Sequence, residues 1–175
     1  RQKTCSSAVP ALASSSTNTN GLARIDAQIA GIERRMRDWQ KDDRAVKAIS
    51  EIPGVGLLTA TAAVAMMGDA RAFRSGREFA AWAGLVPKQT GSGGKVCLHG
   101  ISKRGDTYLR TLLIHGARSV LTHAKEPGPW VEQMKQRRPV SVVVVALANK
   151  IARTIWAVLA HDRQYQKDYV SVKPT

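Results

Sequence analysis

Three stretches of this sequence combine residue types that could act on a phosphodiester. The first is Gly91-Ser92-Gly93-Gly94-Lys95. A hydroxyl flanked by glycines can be approached closely by a bulky substrate, because its neighbours carry no Cβ. Lys95 could stabilise negative charge developing on a phosphate. A serine nucleophile also needs a base or a metal to activate it, and His99 is the nearest candidate in sequence. The plainer alternative is a solvated glycine-rich loop that carries an ordinary histidine.

The second stretch is Ile52-Pro53-Gly54-Val55-Gly56, which leads into an alanine-rich run. Gly54 and Gly56 ahead of a helix make a tight hairpin. Its free backbone N–H groups, helped by the helix dipole, can face a phosphate oxygen. This is the pattern of a helix-hairpin-helix, which grips the nucleic-acid backbone without reading bases. A simple turn between packed helices is the alternative. The third stretch runs from Ile101 to Arg110. Lys103 and Arg104 precede a helix start, and Gly105 allows a tight entry. Arg110 and Arg118 fall outside the leucine stripe of that helix, so a basic edge for phosphates is expected, against the alternative of a solvated charged face.

The elements that must hold these residues are mostly helices. Residues 1–20 are rich in Ser, Thr, Ala and Asn and are expected to be disordered or a linker. Leu22, Ile25, Ile29, Ile32, Met36 and Trp39 then recur at spacings of three and four. That is one apolar stripe on a long amphipathic or coiled-coil helix over 21–50, and it predicts a homo-oligomer seam or docking on its own domain. Asp43 interrupts the pattern. Helices are expected over Leu57–Met67, from Ser75 to Ala83 with Gly84 as the stop, and after Asp106 as N-cap. A short helix over Trp130–Gln136 and a last long one from Pro139 or Ser141 complete the set. Residues 86–105, including Lys88, are expected to form a long basic loop, with short strands only near Val96–Leu98. The main domain is placed at 51–165 and a tail at 166–175. The fold class is mainly α.

Composition narrows the partners. The formal net charge is +14. Residues 1–70 carry +2 of it and residues 71–175 carry +12. Such an excess points to a polyanion, since basic side chains displace counterions condensed on nucleic acid. Two cysteines, Cys5 and Cys97, form no C-x-x-C pair, which fits a reducing cytoplasm. The apolar run Val140–Ala148 is too short to span a bilayer, so no membrane partner is expected. No P-loop, zinc-ligand cluster or H-E-x-x-H helix is present. The carboxylates are scattered, and no metal site is expected in this chain.

Taken in order, the motifs resemble a known domain. Ile52-Pro53-Gly54-Val55-Gly56, Phe73-Arg74-Ser75, Ala81-Trp82-Ala83-Gly84-Leu85-Val86-Pro87-Lys88-Gln89, Ser92-Gly93-Gly94-Lys95 and Gly100-Ile101-Ser102-Lys103-Arg104-Gly105-Asp106 with Tyr108-Leu109-Arg110 are similar to the C-terminal transposase domain of the insertion-sequence one-ten family. The resemblance covers about Glu51 to Tyr165. It implies a recombinase that cuts and rejoins DNA, guided by a non-coding RNA from its own element. It also implies a serine that attacks DNA and becomes covalently linked to it. By motif that serine is Ser92, with Ser102 as the rival, and Lys88, Lys95, Lys103, Arg104 and Arg110 would lie on phosphates. The family's N-terminal ribonuclease-H-like domain, with four magnesium-binding acidic residues, is not found in this sequence. Magnesium is therefore expected only with that domain, and the chain is expected to be truncated and inactive alone. The alternative is a non-catalytic nucleic-acid-binding remnant.

Overall fold

The computed structural model describes residues 15–92, 95–125 and 128–167. The chain divides into two compact units, Arg1–Asp38 and Trp39–Thr175. The first is described as one helix, α1 (Ser15–Asp42), which runs on into the second unit. It begins at Ser15, ahead of the expected start near Gly21. The linker expected over 1–20 otherwise lies outside the described residues. The heptad positions Leu22, Ile25, Ile29, Ile32 and Trp39 are exposed along α1.

Asp43 ends α1 and starts α2 (Arg44–Ser50). Its carboxylate accepts from the N–H groups of Ala45 at 2.8 Å and Val46 at 3.0 Å, which satisfies two donors that a helix start leaves open. Val46 and Ile49 face the core. A turn over 51–56 leads into α3 (Leu57–Met67), and Gly68 closes α3 with positive φ. A 3-10 turn, Ala70–Ala72, precedes α4 (Gly76–Trp82). Ser75 caps α4, and Gly84 ends it at φ +73°, as the sequence predicts.

The stretch expected to be a loop is a β-hairpin. Strands β1 (Pro87–Ser92) and β2 (Lys95–Ile101) pair antiparallel, with Ser92 opposite Lys95 and Thr90 opposite Cys97. The physical reason was present in the sequence. Gly93-Gly94 between two runs is a two-residue hairpin signal, and Val96, Leu98 and Thr90 favour extended backbone. Gly93 and Gly94 themselves lie outside the described residues. A register shift between Pro87 and Gln89 bends the hairpin near its root.

Three helices complete the fold: α5 (Thr107–His123), α6 (Pro129–Arg137) and α7 (Val140–Ala160). Asp106 caps α5 through a 2.6 Å bond from the Leu109 N–H. Pro129 opens α6, where its missing N–H costs nothing. Glu126 and Pro127 between α5 and α6 lie outside the described residues, as does the tail beyond residue 167. Helix α7 is the centre of the second unit and packs against α2, α4, α5 and α6. Val143, Leu147, Ile151, Ile155 and Val158 form its inner stripe. By length and composition α7 could cross a membrane, but its inner face is the core of this unit. Burial in that core holds the β-branched start of α7, whose intrinsic helix preference is weak. The Trp156 indole N–H donates to the Ala70 carbonyl at 2.9 Å and ties α7 to the 3-10 turn.

Candidate nucleic-acid interface

The hairpin is held at its root by backbone packed on backbone. Gly84 and Gly105 both have positive φ. A Cβ on Gly84 would collide with the Arg104 carbonyl, and one on Gly105 with the Trp82 carbonyl. Only glycine allows two chain segments to cross this closely. Two hydrogen bonds fix the crossing: Ser102 N–H to the Val86 carbonyl at 2.8 Å, and Lys103 N–H to the Gly84 carbonyl at 3.2 Å. Asn149 on α7 donates its Nδ2 to the Leu85 carbonyl at 3.2 Å, which anchors the same root to the core.

Arg110 belongs to this root and not to an exposed basic edge. Its side chain is buried, with 8% of the residue exposed. Its guanidinium donates to the Ala83 carbonyl at 3.3 Å, the Asp106 carbonyl at 3.5 Å and Thr107 Oγ1 at 3.1 Å. The expected position on a phosphate edge is thus corrected. Arg110 follows Leu109 into the interior because the end of α4 offers carbonyls that need a donor there. Arg118 is exposed further along α5.

Lys88, Lys95, Lys103 and Arg104 are all exposed, and none forms an ion pair among the described residues. No carboxylate occurs between Glu78 and Asp106, so nothing in that stretch neutralises them. Lys103 sits at φ +53°, a left-handed conformation that is unfavourable for a residue with a Cβ. It lies three residues ahead of Asp106, whose carboxylate caps α5. Ser102 is half-buried beside it.

Ser92 occupies the last position of β1, opposite Lys95 at the tip of the ribbon. Its side chain lies outside the described residues. Thr90 Oγ1 and His99 Nε2 are hydrogen-bonded at 2.6 Å, so the imidazole suggested by sequence is engaged with a threonine at the ribbon's middle.

The Ile52–Gly56 turn is placed by a second glycine pair. Gly54 has φ +86°, and a Cβ there would lie 2.8 Å from the Gly116 carbonyl. A Cβ on Gly116 would in turn collide with the Gly54 carbonyl. Gly54 therefore seats the turn against the middle of α5. Gly56 is exposed and supplies no side-chain cap to α3, so the first N–H groups of that helix are left without one. The sequence pattern signals Gly54, Gly56 and the inner face that holds Gly116, but not the Gly54–Gly116 contact, the Asn149 bond or the burial of Arg110. Those contacts join residues far apart in the chain.

No group of three or more His, Cys, Asp or Glu side chains is gathered among the described residues. The described residues therefore do not fit a magnesium site.

A family profile described as the Transposase IS116/IS110/IS902 family matches residues 46–132. The chain is 48% identical over 151 residues to a "Probable family 20 transposase" of Pseudomonas aeruginosa, covering 83% of this chain and 44% of that protein. It is 42% identical over 149 residues to the "Transposase for insertion sequence element IS1111A" of Coxiella burnetii, covering 83% of this chain and 41% of that one. It is 39% identical over 144 residues to the "Transposase for insertion sequence element IS1328" of Yersinia enterocolitica, covering 80% and 43%. The chain thus spans less than half the length of these curated relatives.

Proposed function

The chain belongs to the IS116/IS110/IS902 family of insertion-sequence transposases, and from that premise we propose that it is the DNA-binding, serine-nucleophile domain of such an enzyme, acting at the bacterial nucleoid. The observation that carries this reading is the β1–β2 ribbon. It presents four unpaired cations at its strands and root and holds Ser92 at its tip opposite Lys95. In the proposed step the Ser92 oxygen attacks phosphorus and forms a new P–O bond. The P–O bond to the adjacent deoxyribose breaks, the serine proton leaves to a base, and the departing deoxyribose oxygen takes up a proton. The protein–DNA phosphodiester keeps the bond available for rejoining. Lys95 offsets the charge that builds on the phosphate. Lys88, Lys103 and Arg104 hold the flanking backbone, and the Gly54–Gly56 turn offers the uncapped start of α3 to another phosphate, as a helix-hairpin-helix does.

Guidance by an element-derived RNA, magnesium held by a separate nuclease-like domain, and self-association through the exposed Leu22–Trp39 stripe of α1 belong to the same proposal. The stripe is tested by sedimentation of Ile29→Asp/Ile32→Asp; an unchanged mass removes the seam. The nucleophile is tested by grafting residues 46–132 into the matching position of the Pseudomonas aeruginosa relative. A covalent protein–DNA adduct that survives Ser102→Ala but not Ser92→Ala is the expected result. An adduct lost only with Ser102→Ala reverses the two serines.

A second reading rests on the Gly54–Gly56 turn and the exposed cations without the serine: a regulator that binds nucleic acid without cutting it. It predicts the same salt-dependent binding and no adduct from the graft.

A further inference from the structure

Register and alternation put Thr90, Lys95 and Cys97 on one face of the ribbon and Gln89, Gly91, Val96 and Leu98 on the other. Val96 and Leu98 are 66% and 65% exposed. A two-stranded ribbon standing clear of the core gains nothing from carrying two branched apolar side chains in water. Something of suitable chemistry should cover them.

The charge around this face selects the occupant. The ribbon and its root carry Lys88, Lys95, Lys103 and Arg104 and no carboxylate. A protein surface that covered Val96 and Leu98 would also have to neutralise these four cations. Duplex DNA meets both demands at once. Its phosphates match the cations, and its major groove presents thymine methyl groups and base edges. A two-stranded ribbon fits that groove, and a glutamine side chain pairs with the adenine edge. Gln89 lies opposite Leu98 on this face and is exposed.

We propose that the β1–β2 ribbon lies in the major groove of duplex DNA, with Gln89, Val96 and Leu98 on base edges and thymine methyls. The lysines then meet the phosphate walls, and Ser92 stands at the ribbon's tip. This inference rests on the DNA-binding part of the function proposed above and not on the serine chemistry. It assigns the protein a direct share in choosing sequence.

The test uses the full chain and a fluorescein-labelled A·T-rich duplex, with anisotropy read across a salt series. Val96→Ser/Leu98→Ser should keep Tm within about 2 °C, because both side chains are exposed. Its affinity should fall about tenfold at every salt concentration, on the scale of losing one base contact, with the salt slope unchanged. Lys88→Gln/Lys95→Gln should instead flatten the slope by about 1.8, at 0.9 for each phosphate contact. Replacing thymine by uracil in the duplex removes the methyl groups and should weaken the wild-type chain more than the double serine variant. Equal binding by wild type and Val96→Ser/Leu98→Ser would overturn the groove assignment. So would a drop in oligomeric mass in that variant with DNA binding intact, which would put protein on this face. A wild-type chain with no salt-dependent DNA binding would bring down the functional reading itself.

Discussion

Replacing Lys103 by glycine should make the protein more stable and poorer at holding DNA. Lys103 has φ +53°, and a left-handed L-residue costs about 1–2 kcal/mol. Glycine removes that strain but adds about 0.5–1 kcal/mol of unfolded-state entropy. At the middle of both ranges the net gain is about 0.75 kcal/mol. For a unit the size of Trp39–Thr175, that gain raises Tm by about 2 °C. Lys103→Ala keeps the backbone strain and should leave Tm unchanged. Both variants lose the same ammonium, so both should flatten the salt dependence of DNA binding by about 0.9. Differential scanning calorimetry and fluorescence anisotropy on one preparation of each variant give the two readouts. If Lys103→Gly lowers Tm, the left-handed backbone is not a source of strain. If both variants keep the wild-type salt slope, Lys103 touches no phosphate and its strained position needs another explanation.

Two further substitutions separate scaffold from interface. Gly116→Ala drives a Cβ into the Gly54 carbonyl and should destabilise the fold by about 1–3 kcal/mol, read as a lower urea midpoint; an unchanged midpoint would mean that the 51–56 turn is not seated on α5. Arg110→Met removes the donor to the Ala83 carbonyl and should cost about 1–3 kcal/mol of stability. The salt slope of DNA binding should stay at the wild-type value, and a flatter slope would return Arg110 to a phosphate.

Much of the helical framework was legible because its signals are local. Ser75 and Asp106 cap helices through their own neighbours and Gly84 stops α4, whereas Asp43, which interrupts the apolar stripe, ends α1 and caps a separate α2 inside the single helix expected over 21–50. The β-hairpin is legible only near Val96–Leu98, because the glycines of 91–94 mask the extended preference of the residues that flank them. Arg110 was misplaced for a different reason. A helix face is read from apolar spacing, and a buried arginine beside Leu109 looks polar and therefore external. Its partner, the Ala83 carbonyl, is 27 residues away. The Gly54–Gly116 crossing and the Asn149–Leu85 bond are equally invisible, since each depends on how distant segments meet. At the candidate site, the fold places Lys88 and Lys95 on one ribbon whose root carries Lys103 and Arg104, a frame the sequence pattern does not show.

The central claim is that Ser92 carries the covalent bond to DNA. The most direct measurement is to trap the adduct formed by the grafted transposase on its DNA, digest both components, and locate the nucleotide-bearing peptide by mass spectrometry. The expected result is a single modified peptide with the nucleotide on Ser92. A nucleotide on Ser102, or an adduct that persists in Ser92→Ala, would contradict it.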